Sequence, residues 1–173
     1  MILPILAFGD PILRQETEDI DQDYPKLNEL ISNMWETMYN ANGIGLAAPQ
    51  VGVPIRLFII DTKQMKGEDF NGEKDGITEV FINATLLSET GKKWPYEEGC
   101  LSIPGIREDI FRNYEIEIEY LDENFKLQTR KFDDLNARVI QHEYDHVEGV
   151  LFTDYMKPLK KRMLKNRLAA ISN

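Results

Sequence analysis

The residues most suited to binding a metal or to catalysis are two histidines, four positions apart in the run His142-Glu-Tyr-Asp-His146. On a helix, side chains at i and i+4 share one face with their Cβ atoms about 5–6 Å apart, close enough to bind one metal ion. Glu143 between them would lie beside a water on that ion and take its proton. The pattern predicts a metal-dependent hydrolase. Two hydrogen-bonded helix histidines without a metal would give the same spacing.

A third ligand must come from elsewhere, because a catalytic metal site commonly uses three protein ligands and leaves one position open. The two motif histidines are the only histidines of the chain, and Glu148, on the next helical turn, is the only glutamate after them. The single cysteine, Cys100, is the best remaining candidate; its alternative role is that of a small buried hydrophobic residue. Gly99 and Pro104 nearby predict a shaped segment rather than a regular strand.

The hydrophobic pattern predicts the elements that must position these residues. Buried strands are expected at 55–60 and 80–82, and a half-exposed strand over 114–120 should form a hairpin with 125–132. Helices are predicted over 26–40, from 133 or 134 to about 148 with the histidine motif, and over 158–171. Strands around a central helix, without a linker, predict one α+β domain over 1–173, with antiparallel or mixed strands and a C-terminal helix.

Composition excludes several classes of protein. No apolar run approaches the roughly 20 residues that cross a bilayer, and the apolar start is short and lacks a basic leading segment, so no signal peptide is expected. One cysteine cannot form an internal disulfide, which fits a reducing compartment. We therefore expect a cytoplasmic protein without membrane contact. The net charge of −10 argues against a general nucleic-acid binder.

The charge is unevenly distributed, since the C-terminal segment 157–173 is basic and contains no acid. Its cationic residues are Lys157, Lys160, Lys161, Arg162, Lys165 and Arg167. Its apolar residues, expected along one face of the last helix, are Leu159, Met163, Leu164, Leu168 and Ile171. A charge run of this kind is usually a solvated face.

Three segments resemble, in order, the signature motifs of the peptide deformylase family. They are Gly43-Ile-Gly-Leu-Ala-Ala-Pro-Gln50, Glu98-Gly-Cys-Leu-Ser102 and Gln141-His-Glu-Tyr-Asp-His146. The resemblance extends from Gly9-Asp-Pro-Ile-Leu-Arg14 to Leu151-Phe-Thr-Asp-Tyr155 and covers nearly the whole chain. It implies a bacterial-type enzyme that removes the formyl group from the N-terminal formyl-methionine of nascent polypeptides and releases formate.

The resemblance also implies roles for the site residues. Cys100 and the two motif histidines, His142 and His146, would hold one divalent ion per chain with water in the fourth position. The family typically uses Fe2+, replaceable by Ni2+, Co2+ or Zn2+, whereas ligand chemistry alone favours zinc. Glu143 would act as general base and then acid. The amide of Gln50 and the backbone N–H of Leu101 would stabilise the oxyanion.

The implied substrate-binding residues surround this centre. Backbone groups near Ile44, Gly45 and Gly99 would pair with an extended peptide. The methionine pocket would include Ile44, Tyr96, Leu135, Arg138 and Val139. Arg138 departs from the aliphatic residue frequent in the family; its stem would line the pocket while its head reaches water.

Other implications concern the surroundings of the site. Glu98 and Arg112 match positions that pair as ions in the family, which predicts a partly buried salt bridge. Residues 63–76, polar and longer than usual for the family, predict a mobile surface loop. The basic C-terminal helix would contact ribosomal RNA, as it does in related bacterial deformylases.

Two other functions remain open from the sequence. A metallopeptidase with an unusual third ligand would use the histidine motif but leave the glycine and cysteine segments unexplained. A non-catalytic module with a structural metal would need a fourth protein ligand, for which the chain has no further Cys or His.

Overall fold

The computed structural model describes residues 1–65 and 76–172, which form an α+β domain. The helices are α1 (Leu27–Asn40), α2 (Asp134–Val147) and α3 (Pro158–Ser172). The strands are β1 (Gly45–Ala47), β2 (Leu57–Asp61), β3 (Thr78–Cys100), β4 (Ile103–Leu121) and β5 (Leu127–Asp133). Short 3-10 helices lie at Pro11–Arg14, Ala48–Val51, Thr62–Gln64 and Phe152–Tyr155.

The five strands form one sheet in the order β1-β2-β3-β4-β5, and each strand is antiparallel to its neighbours. Helix α2 packs against β1, β2, β4 and β5. The predicted arrangement of antiparallel strands around a central helix is confirmed. The core between helix and sheet contains Phe81, whose ring stacks on Phe58 with centroids 4.8 Å apart and contacts Tyr120 at 4.2 Å.

The segment around the cysteine, predicted to be shaped rather than a regular strand, is strand with an irregular pairing. β3 continues to Cys100 and β4 begins at Ile103. The pairing shifts register between Glu98 and Cys100, and residues 104–107 fall between the paired positions Ile103 and Glu108. A β-bulge leaves its extra residues unpaired. Pro104, which has no N–H to donate, is accommodated there at no cost to the ladder.

Helix α2 lies where the motif predicts it and is unusually polar for a buried helix. Six of its ten buried residues are polar or ionisable: Asp134, Asn136, Arg138, Gln141, Glu143 and His146. Burying such groups is unfavourable unless each is paired or serves a function. The polar residues on the interior face of α2 therefore indicate a functional site there.

Helix α3 begins at the predicted proline but is only partly amphipathic. Leu164 is buried, and Leu168 and Ile171 pack against the same cluster beside β4. Leu159 and Met163 are 67% and 68% exposed, so the prediction that they share the packed face is wrong. In the α-helix they project from neighbouring turns on a side that the body does not reach.

Of the predicted surface loop at 63–76, the structure describes only the two ends. Thr62–Gln64 forms a 3-10 helix, and residues 66–75 lie outside the described residues. Among the helices of the described ranges, none is both long enough and apolar enough to span a bilayer.

Candidate metal centre

Three potential ligand atoms converge where α2 faces the end of β3. The Sγ of Cys100 and one ring nitrogen each of His142 and His146 all lie within 4.8 Å of one another. Sγ lies 3.3 Å from Nε2 of His146, and the two imidazole centroids are 5.2 Å apart. The fold thus brings a β-strand residue to the two helix residues across more than 40 positions of sequence.

The chemistry of this group fits a divalent transition metal. One sulfur and two imidazole nitrogens are donors that both Zn2+ and Fe2+ accept. Burial lowers the pKa of His146 well below its ordinary value, which favours the neutral imidazole. Among the described residues the group offers three donors, Cys100, His142 and His146, so a bound ion would keep a position for water or substrate.

Glu98 orients one of the histidines. Its Oε1 lies 2.9 Å from Nδ1 of His142, which leaves Nε2 of that ring for a metal. Arg112 donates to both carboxylate oxygens, from Nε at 2.7 Å and from Nη2 at 3.0 Å. The predicted salt bridge is confirmed, and it is buried rather than partly buried, with side chains only 4% and 6% exposed.

The electrostatics of Glu98 follow from these contacts. Burial raises its pKa, but hydrogen bonds from His142 and Arg112 outweigh burial and hold the pKa well below its usual range. Glu98 is therefore an anion in the folded protein. An anionic acceptor on the far nitrogen of a ligand imidazole fixes its ring and raises its basicity.

Glu143 lies beside these three residues. Its side chain is 2% exposed, and Oε2 has no hydrogen-bond partner among the described residues. Burial raises the pKa of Glu143 to about 7. A Cβ on Gly45 would lie 2.8 Å from Cγ of Glu143, so β1 passes this close only because position 45 is glycine.

Gln50 is held with its amide nitrogen toward the cysteine. Its Oε1 accepts a hydrogen bond from the backbone N–H of Ala47 at 2.9 Å. Its Nε2 lies 3.4 Å from Sγ of Cys100 and donates to Oγ of Ser102 at 3.1 Å. Because the carbonyl end is occupied, the NH2 group must face the site.

A cavity of about 460 Å³ opens over these residues. Its wall includes most of the predicted site residues: Ile44, Gly45, Gln50, Tyr96, Gly99, Cys100, Leu101, Arg138, Val139, His142 and Glu143. Leu135, in contrast, is fully buried and is not part of this wall. It lies one helical turn before Val139, where α2 faces the core.

Comparison with known proteins agrees with this geometry. A family model described as polypeptide deformylase matches residues 2–162. The chain belongs to this family. The peptide deformylase of Christiangramia forsetii is 55% identical over 177 residues, covering 99% of this chain and 90% of that protein. That of Flavobacterium psychrophilum is 54% identical over 176 residues, covering 99% and 91%.

Solved deformylase structures share the fold. A peptide deformylase from Legionella pneumophila has a TM-score of 0.85 at 35% identity, covering 98% of this chain and 95% of that one. The Synechococcus elongatus peptide deformylase in complex with actinonin has a TM-score of 0.84 at 37% identity, covering 96% and 86%. The protein is thus an enzyme of a metal-dependent hydrolase family that removes N-terminal formyl groups.

In this deformylase Arg138 does not behave as predicted. Its side chain is 2% exposed, so its head does not reach water. Instead Nη1 donates to Oε2 of Glu98 at 2.7 Å, and Nη2 donates to the carbonyl of Trp94 at 2.6 Å. A buried anion and carbonyl groups replace water because an unpaired guanidinium would be costly in the interior.

Two polar residues of the deformylase site, Asp145 and Ser102, were not predicted from the sequence. Asp145 accepts from Nη1 of Arg112 at 2.8 Å and from the hydroxyl of Tyr155 at 2.8 Å. Ser102, fully buried, accepts from Gln50. Both residues lie inside the family motifs, and this membership could have marked them as site residues. Their hydrogen-bond partners could not be predicted, because Arg112 and Gln50 are distant from them in sequence.

Proposed function

We propose that this deformylase hydrolyses the formyl amide of formyl-methionyl polypeptides with one divalent ion held by Cys100, His142 and His146. The observation that carries the proposal is the convergence of three donor atoms within 4.8 Å beside the buried Glu143, whose Oε2 has no hydrogen-bond partner among the described residues. With three donors among the described residues, a bound ion would keep a position for substrate, which favours catalysis over a closed structural site.

We propose Fe2+ as the resident ion, with Zn2+, Ni2+ or Co2+ able to replace it. The support for iron is family membership, since a sulfur and two nitrogens suit all of these metals. When bound, the ion would supply Lewis-acid chemistry toward water and the formyl oxygen.

The proton steps belong to Glu143. Its carboxylate takes a proton from the water that attacks the formyl carbon, and it later donates that proton to the departing amine nitrogen. Burial and the absence of a competing partner leave Oε2 available for this transfer. The products are formate and a free amino terminus.

The oxyanion that develops on the formyl oxygen needs donors. Nε2 of Gln50 is one, because its orientation toward Cys100 is fixed by Ala47. The backbone N–H of Leu101, the residue after Cys100 on the cavity wall, is the other. Donors that are held in place before the reaction stabilise the transition state without reorganisation.

The substrate would bind extended along the cavity. Backbone groups of Ile44, Gly45 and Gly99 would pair with it as an added strand. The methionine side chain would contact Tyr96 and Val139, both on the cavity wall.

Substrate discrimination tests this function directly. Formate should be released from a formyl-methionyl tripeptide, while an acetyl-methionyl tripeptide and a longer peptide with internal bonds only should remain intact. Cleavage of the internal bonds would favour the metallopeptidase alternative instead.

We also propose that α3 docks on ribosomal RNA. Lys161, Arg162 and Lys165 are exposed and follow one another on a helix without acids. Lys160 and Arg167 are engaged with the body, through Glu108 at 3.1 Å and the carbonyl of Gly105. Lys161, Arg162 and Lys165 would therefore face the phosphates.

Changing Lys161, Arg162 and Lys165 to Glu is expected to abolish ribosome co-sedimentation at low salt, and wild-type binding should weaken steeply as salt rises. The matched control changes the exposed Lys92, Lys93 and Lys131 of the strands to Glu. Deformylation of short peptides should survive in both. Equal, salt-insensitive sedimentation of the two variants would exclude α3 as the docking element.

A further inference from the structure

Arg138 donates hydrogen bonds to several groups of the protein, which a residue that only lines a substrate pocket would not need. Nη1 donates to Oε2 of Glu98 and to the carbonyl of Ile110, both at 2.7 Å. Nη2 donates to the carbonyl of Trp94, and the guanidinium lies over the Trp94 ring at 4.8 Å from its centroid. One side chain of α2 therefore joins β3, β4 and the carboxylate that contacts a metal-ligand histidine.

The carboxylate of Glu98 is fully occupied. Oε1 contacts His142 and Nη2 of Arg112, and Oε2 contacts Nε of Arg112 and Nη1 of Arg138. A carboxylate has about four acceptor sites. Removing the Arg138 donor leaves Oε2 with Nε of Arg112 alone. The carboxylate then shifts toward Arg112, and Oε1, on the same rigid group, changes its position relative to His142.

Charge balance points to the same role. Arg112 is shared, because its Nη1 is bound to Asp145. Two carboxylates, the buried Glu98 and the partly buried Asp145, face the two guanidinium groups of Arg112 and Arg138. Without Arg138, both carboxylates would share the guanidinium of Arg112.

We propose that Arg138 is a positioning residue of the metal centre, which holds Glu98 so that Glu98 fixes the ring of His142 toward the metal. The inference rests on the proposed role of His142 as a ligand. It separates Arg138 from the rest of the cavity wall: Tyr96 and Val139 would act on substrate, whereas Arg138 would act on the ion.

The test uses Arg138→Met, which replaces the apolar stem with another unbranched apolar chain and removes the donors. The protein is loaded with Co2+, and the visible spectrum and the rate of Co2+ loss to a chelator are measured. We expect loss about tenfold faster or more, with a shifted spectrum, because changes in the residues that orient metal ligands typically cost 10–100-fold in affinity or activity.

The matched control is Arg130→Met. Arg130 also pairs with a carboxylate, Glu79 at 3.2 Å, and also lies over an aromatic ring, Phe132 at 4.6 Å. It belongs to β5 and does not line the cavity. We expect its spectrum and its rate of Co2+ loss to match the wild type.

A double-mutant cycle with Glu98→Gln shows whether Arg138 acts through Glu98. We expect the Arg138→Met effect on Co2+ loss to shrink or vanish in the Glu98→Gln background, because coupled residues are not additive. Full additivity would overturn the proposed route. Wild-type rates and spectra in Arg138→Met, with only KM for the peptide raised, would show a pocket wall and overturn the proposal itself.

Arg138→Lys covers the case in which Arg138→Met does not fold. Lysine keeps the charge but cannot reproduce the fork that reaches Glu98, Ile110 and Trp94 together. We expect a rate of Co2+ loss between the wild-type and Met values; a Lys variant identical to wild type in rate and spectrum would contradict the proposal. A wild-type protein that binds no ion would refute the metal centre as a whole, which is a different result.

Discussion

Replacing Glu143 by Ala is expected to leave the metal in place and to lower kcat for a formyl-methionyl peptide by about 10²–10⁴-fold. This is the usual contribution of general acid–base catalysis. All three donor atoms stay, whereas the only group assigned to carry the proton is lost. Metal content by elemental analysis and formate release by a coupled assay give the two quantities on the same sample.

Glu143→Gln is the conservative companion, since it keeps the volume of a side chain that touches Gly45. It should be as inactive as Glu143→Ala, because an amide does not accept and return a proton at neutral pH. A metal-loaded Gln variant with wild-type formate release would show that another group moves the proton.

Replacing Cys100 by Ser is expected to abolish tight metal binding. A neutral hydroxyl is a far poorer ligand than a thiolate, and the thiolate is the form of cysteine that binds metals. We expect stoichiometric binding to be lost after dialysis against a chelator that leaves the wild type loaded, and formate release to fall in proportion.

Two further variants separate ligation from packing at this position. Cys100→Ala should lose metal as completely as Cys100→Ser, while Cys100→Asp should recover part of it, because carboxylate oxygens also bind these ions. Metal retained by Cys100→Ala at the wild-type level would mean that the third ligand is a different residue.

The helix that carries the two histidines was predictable, because side chains at i and i+4 lie close together on one face of a helix. A helix from 133 or 134 to about 148 was expected, and α2 runs from Asp134 to Val147. The pairing of His142 with Glu98 was not predictable from spacing. It joins residues 44 positions apart, one on β3 and one on α2, and only the packing of α2 against the sheet brings them together.

The length of the antiparallel ribbon of β3 and β4 was missed for a physical reason. Residues 87–93 of β3 are exposed throughout, so no side buries a regular set of apolar residues. Alternating hydrophobicity marks a strand only when one face is buried and the other is not. The short stretch 80–82 is buried in the core, and it was predicted as a strand. The remainder of β3 is stabilised by pairing with β4.

Arg138 shows the limit of side-chain prediction. A long stem on a pocket wall is compatible with a head in water or a head in the interior. The choice depends on whether an anion and free carbonyls lie within reach, and here Glu98, Trp94 and Ile110 come from two distant strands. The orientation was therefore fixed by tertiary structure alone.

The most direct test of the account is a metal titration followed by formate release. Protein purified without oxygen is stripped with a chelator, and Fe2+ or Zn2+ is added back in steps while hydrolysis of a formyl-methionyl tripeptide is measured. We expect activity to be absent in the stripped protein, to rise linearly with added ion and to stop rising at one ion per chain. Full formate release by the stripped protein, or a plateau at any other stoichiometry, would contradict a single centre at Cys100, His142 and His146.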